Sequence, residues 1–125
     1  FDEIKVEEII IPRVKVVAVD EDEDIDTITK LFINERYSRL PVYEKSIDNI
    51  VGIITEKDFF AMLTQSEKKP ASIKSIIQKA LYVSEMKLIS EVLYEMQRTK
   101  MHMAIVNKRY RYNGRYYRGA CRRNL

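Results

Sequence analysis

One internal offset constrains this chain more than any other feature. Laid over itself with a shift of 64 residues, it matches Val19 with Val83, Ile25 with Ile89, Ile28 with Val92, Phe32 with Met96 and Val42 with Val106. A repeat of that length means one supersecondary unit used twice, each copy with an apolar face it cannot cover alone. The spacing predicts two small halves packed around one core, which 125 residues with 46% apolar side chains are enough to build. Identity between the halves is low, so the repeat is carried by pattern.

The first half divides into recognisable pieces. Residues 6–11 read as an entry turn or short helix stopped before Pro12, and residues 14–19 as a valine-rich strand. The acidic run Asp20-Glu21-Asp22-Glu23-Asp24 follows, with Asp24 placed to cap a helix. That helix carries Ile25, Ile28, Leu31 and Phe32 on one face and runs to about Glu35. Leu40-Pro41-Val42-Tyr43 is a short strand, put at a sheet edge or a strand start by its proline. After the turn residues Ser46-Ile47-Asp48-Asn49, the unbroken apolar run 50–55 predicts a strand buried on both faces. A helix over 56–63 turns Phe59, Phe60 and Leu63 inward.

The order then restarts. Residues 64–70 are polar and lysine-rich, the mark of a linker. Ile73, Ile76 and Ile77 make a short apolar turn, 81–83 a strand, Ile89, Val92, Leu93 and Met96 a helix face, and 102–106 a further strand. The expected division is a first domain over 1–64, a linker over 65–71, a second domain over 72–106 and an atypical basic tail over 107–125.

Other classes are narrowed by composition. A single cysteine, Cys121, forbids an internal disulfide or a Cys-based zinc site, and a single histidine, His102, forbids a His-rich metal site. Both suit a reducing compartment. No apolar run approaches the ~20 residues of a membrane helix. No signal peptide is visible, and a start at Phe1 reads as a piece of something longer. The net charge of +3 conceals an asymmetry. Of the 22 Lys and Arg, seven fall in 107–125 with no acid beside them, leaving 15 bases and 19 acids elsewhere, a net of −4. A nucleic-acid reading therefore rests on the tail alone.

One run carries chemistry: Gly52-Ile53-Ile54-Thr55-Glu56-Lys57-Asp58. A buried strand ends at Thr55 and a helix begins at once, and a helix N-terminus offers free N–H groups and a positive dipole end to a phosphate. A Thr hydroxyl there can donate to that phosphate. The carboxylate of Asp58 can accept from both hydroxyls of a ribose, as an acid does in dinucleotide folds. Gly52 permits a close backbone approach. The same residues also read as plain capping, with Thr55 closing the helix and Asp58 in its first turn.

The flanking runs decide between these readings. Ile11-Pro12-Arg13, Tyr37-Ser38-Arg39-Leu40-Pro41-Val42-Tyr43, Ile47-Asp48-Asn49-Ile50-Val51-Gly52-Ile53, Met96-Gln97 and His102-Met103-Ala104-Ile105-Val106 resemble the paired CBS domains, or Bateman modules, of CorC/HlyC-type transporter-associated proteins. The resemblance covers residues 4–106. It implies an α/β fold of two β-α-β-β-α halves packed with pseudo-two-fold symmetry, nucleotide clefts and dimerisation. Carried onto this chain, it implies that Thr55 contacts phosphate and Asp58 ribose, with Arg13, Val14, Leu40 and Pro41 framing the adenine of AMP or ATP. Magnesium bridging the phosphates is compatible with it. It further implies the cytosolic regulatory part of a membrane protein linked to magnesium or cobalt efflux, without catalytic activity. No nucleophile with a His base, P-loop or carboxylate pair appears.

The tail departs from the family. Where the second half is expected to close with an acidic turn, a second Gly-apolar-apolar-Thr strand and an acidic helix, residues 107–125 are rich in Arg and Tyr. The constant offset puts Gly119 at the counterpart of Thr55 and Arg122 at that of Asp58, so the second motif is missing. If the arginines use AG-type codons, reading one base later from Arg115 restores an acidic ending, so the tail is compatible with a frameshift. Its Asn113-Gly114 also signals a hairpin, extending the strand over 102–106. Two other functions follow from these features: a ligand-free dimerisation module, or nucleic-acid binding through interleaved Arg and Tyr. The acidic run 20–24 is read as a solvated turn and cap before a cation site. His102 is read as a packed or hydrogen-bonded residue, and Met96, Met101 and Met103 as core filler.

Overall fold

The computed structural model describes residues 15–65, 67–107 and 119–122, with the backbone course alone at 107 and 119–122. The first half runs β1 (Val19–Asp20), α1 (Ile25–Glu35), β2 (Arg39–Tyr43), β3 (Ile50–Thr55) and α2 (Glu56–Gln65). These strands form a sheet in the order β1-β2-β3, with β1 parallel and β3 antiparallel to β2. The second half repeats the β-α-β-β part of this plan with β4 (Leu81–Ser84), α3 (Ile89–Arg98), β5 (Met103–Asn107) and β6 (Gly119–Arg122), in the order β4-β5-β6, and no counterpart of α2 is among the described residues. The chain is thus a mixed α/β protein with two three-stranded sheets of the same order and strand directions.

Local chemistry explains where α1 begins and ends. The Asp24 carboxylate accepts from the Thr27 N–H at 2.8 Å and from the Thr27 hydroxyl at 2.8 Å, satisfying donors that the first turn leaves open. These bonds, the backbone one first, hold the Asp24 carboxyl below the ordinary aspartate range. The helix stops at Arg36, whose φ of 56° is left-handed. After α3, Lys100 takes a φ of 57°, and these two residues stand 64 apart. The repeat therefore extends to a backbone conformation that L-residues rarely adopt.

Strand register carries the same offset. Val19 pairs with Val42 in the first sheet, and Val83 with Val106 in the second. All five matched pairs of apolar residues are buried. Each half assembles a cluster of its own. In the first, Val19, Ile25, Ile28, Phe32, Leu40, Val42, Ile54, Phe59 and Ile73 pack together. In the second, Val83, Ile89, Val92, Met96, Ala104 and Val106 do so. Phe32, Phe59 and Phe60 meet with ring centroids 5.2 to 6.2 Å apart, joining α1 to α2. Each fully buried side chain of this size contributes roughly 1.5–3 kcal/mol.

Four expectations are corrected. The strand expected over 14–19 is only Val19–Asp20; Val14 lies outside the described residues. The next step back along its register brings Ala18 opposite Pro41, which has no N–H to donate. The strand containing Pro41 is central rather than an edge. Because β1 covers only Val42 and Tyr43, however, Pro41 itself has a ladder partner on one side alone, Ile53. The segment expected to open the second domain belongs with the first half: the compact unit is Val17–Lys79. A short 3-10 turn, Lys74–Ile76, follows Ile73, which is wholly buried in the first cluster, with Ile76 and Ile77 packed against it. The described residues from Ala80 onward belong to the other unit.

The fourth correction concerns the tail. Residues 119–122 form β6, antiparallel to β5, so the chain after β5 does return to extend that strand. The Asn113-Gly114 turn lies outside the described residues. Gly119 pairs with Val106 as Gly52 pairs with Val42, so Gly119 is the counterpart of Gly52 and not of Thr55. The connection before β6 is three residues longer than the constant offset assumed.

Candidate functional site

Thr55 is placed by two elements at once. It ends β3 opposite Arg39 of β2, and α2 starts at the next residue. The Glu56 N–H donates to the Ser38 carbonyl at 2.9 Å, tying the helix start to the strand before it. The Thr55 Oγ1 accepts from the Asp58 N–H at 3.1 Å. Capping and ligand binding are therefore compatible rather than alternative. The hydroxyl oxygen accepts the helix amide, and its hydrogen stays available to donate outward.

Around this hydroxyl lies an open pocket of about 320 Å³ lined by Ser38, Arg39, Thr55, Glu56, Lys57 and Phe60. Two cationic side chains, one carboxylate, two hydroxyls and the positive end of α2 converge there. The balance favours an anion with several acceptor oxygens. Phe60 supplies an apolar wall and is itself anchored on Phe32 and Phe59, so the wall is continuous with the core.

Asp58 sits half-buried in the first turn of α2, and its Oδ2 accepts from the side-chain amide of Gln78. Gln78 has a fixed backbone: its N–H donates to the Ile53 carbonyl at 2.8 Å and its carbonyl accepts from the Ile53 N–H at 3.0 Å. That bridge is possible because of Gly52. A Cβ at that position would overlap the Gln78 carbonyl oxygen and the Ile77 Cγ2. The close approach expected at Gly52 is thus made by the chain's own segment.

The remaining expected residues are distributed differently. Leu40 is buried with no exposed surface, its side chain in the first cluster, so any ligand contact at Leu40 goes through its backbone. Pro41 is buried on the opposite face of β2. Arg13 and Val14 lie outside the described residues. Sequence reasoning gave no role to Arg39, Lys57 or Gln78. Lys57 stood within the motif and Arg39 within a quoted run, but only the Arg39–Thr55 register brings both to one pocket. Gln78 lies 20 residues from Asp58 and gave no local signal.

In the second half, Arg122 pairs with Met103 as Thr55 pairs with Arg39, so an arginine holds the position of the threonine. The acidic run is engaged with its own surroundings. Asp20 accepts from the Asp22 N–H at 2.9 Å, Asp22 pairs with Lys74 at 3.1 Å and Asp24 caps α1. The Asp22 bond raises the Lys74 ammonium above its ordinary range. Among the described residues no three His, Cys, Asp or Glu gather as metal ligands, and no helix is long and apolar enough to cross a membrane. His102 is exposed, whereas Met96 and Met103 are buried.

Comparison with known proteins follows the same lines. The family model for the CBS domain matches residues 6–64. Hemolysin C of Brachyspira hyodysenteriae is 37% identical over 105 residues, spanning 84% of this chain and 38% of that protein. The magnesium and cobalt efflux protein CorC of Vibrio cholerae is 33% identical over 104 residues, spanning 83% of this chain and 35% of that protein. The chain thus covers well under half the length of either relative. Among solved structures, the CBS domain of the bacterial CNNM/CorC family Mg2+ transporter in complex with ATP superposes with a TM-score of 0.84. It is 32% identical, with 97% of this chain and 82% of that one covered.

Proposed function

Because the chain belongs to the CBS-domain family, with the CBS domains of CorC-type magnesium transporters, we propose that it is a regulatory module binding one adenine nucleotide, ATP or AMP. The observation that carries this reading is the pocket at the end of β3, where the Thr55 hydroxyl, Arg39 and Lys57 meet the start of α2. In this reading Thr55, Arg39 and Lys57 hold the phosphates, and Asp58 accepts from the ribose hydroxyls. Arg13, Val14, Pro41 and the Leu40 backbone frame the adenine. Magnesium accompanies the phosphates of ATP, offsetting charge that two cations do not neutralise.

The module dimerises, and it faces the cytosol as part of a longer membrane ion transporter. It is not catalytic. Its effect on transport comes from a nucleotide's different affinities for two shapes of the module, since a ligand bound equally by both shifts nothing.

Calorimetric titration with ATP, ADP and AMP, each with and without magnesium, tests this. Wild-type protein is expected to bind at least one of them, and Thr55→Ala combined with Asp58→Ala to abolish the heat while circular dichroism shows a folded chain. Folded wild-type protein that gives neither heat nor thermal shift with any of the three overturns the reading, leaving a ligand-free dimerisation module.

A further inference from the structure

Gln78 is the feature that the proposed nucleotide site does not yet use. Its side-chain amide donates to the Asp58 Oδ2 from a backbone held at both its N–H and its carbonyl by Ile53. The segment carrying it lies so close over β3 that Gly52 can bear no side chain. An exposed glutamine on an unsupported loop would have many rotamers to choose from; this one extends from a clamped backbone toward a single carboxylate.

We propose that Gln78 is a positioning residue for ribose recognition. The inference rests on the nucleotide reading above, and on Asp58 as its ribose contact. A carboxylate has about four acceptor sites, so one bond from Gln78 leaves room for two ribose hydroxyls. What the bond removes is rotation. An aspartate in a first helical turn can swing its carboxylate back toward the helix's own N–H groups, the position a capping box uses. Gln78 holds it outward from the other side. Ribose binding then needs no further ordering of the carboxylate, the saving that preorganisation brings. The same bond ties the ribose contact to residues 73–79, which lead directly into β4. A change at the sugar is therefore felt first in the segment connecting the two halves.

The test compares ATP with 2′,3′-dideoxy-ATP on the whole chain. Wild-type protein is expected to prefer the ribonucleotide by roughly tenfold or more, as charged-acceptor bonds to two hydroxyls require. Gln78→Met, close in shape but without a donor, is expected to shrink that preference to about threefold or less by weakening ATP while leaving the dideoxy analogue nearly unchanged. Gln78→Ala is expected to do the same, which guards against an effect of the longer apolar side chain. A merely structural role would weaken both ligands together and leave the ratio intact. Undiminished preference in both folded variants overturns the role of Gln78 while the nucleotide site stands. If only AMP or ADP binds, the same comparison is made with that nucleotide and its 2′,3′-dideoxy analogue; failure of folded wild-type protein to bind any of the three overturns both.

Discussion

Single side chains in this protein serve the fold and the proposed site together. The Thr55 oxygen accepts a helix amide while its hydrogen remains free, so the sequence could not separate capping from binding, and the structure shows no need to. Asp24 is the simpler case, a cap only, and its depressed pKa makes a statement about pH. A carboxyl bound more tightly when ionised contributes stability above its unfolded value, near 3.8, and loses it as pH falls through the lower folded value. Asp24→Ala is therefore expected to lower Tm at neutral pH, with the gap to wild type narrowing below about pH 4. Thermal melts of both proteins from pH 7 to pH 2.5 measure it; a gap that widened in acid would reverse the sign.

Between elements, what sequence reveals depends on how far apart the partners lie. The span of α1 and the limits of β3 were legible because caps and apolar periodicity are local. The shortness of β1 and the central place of β2 were not, since both depend on which backbone lies alongside. The anion pocket was half legible: Thr55 announced itself at a strand-to-helix junction, whereas Arg39 acquires its role only through register. Gly52 was legible as a close approach, but not what approaches. Gly52→Ala is expected to push the Ile77–Gln78 backbone off β3 and cost about 1–3 kcal/mol, an overpacking penalty. A denaturant titration reads this as a lower midpoint with an unchanged slope. An unaltered midpoint would mean that the segment yields without cost.

For the chain in solution, the repeat predicts symmetry and the tail breaks it. Two copies of one plan would ordinarily offer two equivalent motifs, but only the first half carries a threonine at the strand end. One nucleotide per chain is the expected stoichiometry, with two per particle if light scattering reports the proposed dimer. A fitted value of two per chain would show that the second half binds through other residues.

The third strand of the second sheet shows how little side-chain chemistry a β-ladder demands. Gly119-Ala120-Cys121-Arg122 shares only its glycine with Gly52-Ile53-Ile54-Thr55, yet it takes the same place against its neighbour, pair for pair. Backbone groups write the ladder; side chains write the ligand. The chain consequently carries its own blank, a casting from the same mould with the working surface left unmachined. Arg122→Thr would begin to machine it, and whatever affinity then failed to appear would measure how much of a binding site lies beyond its motif.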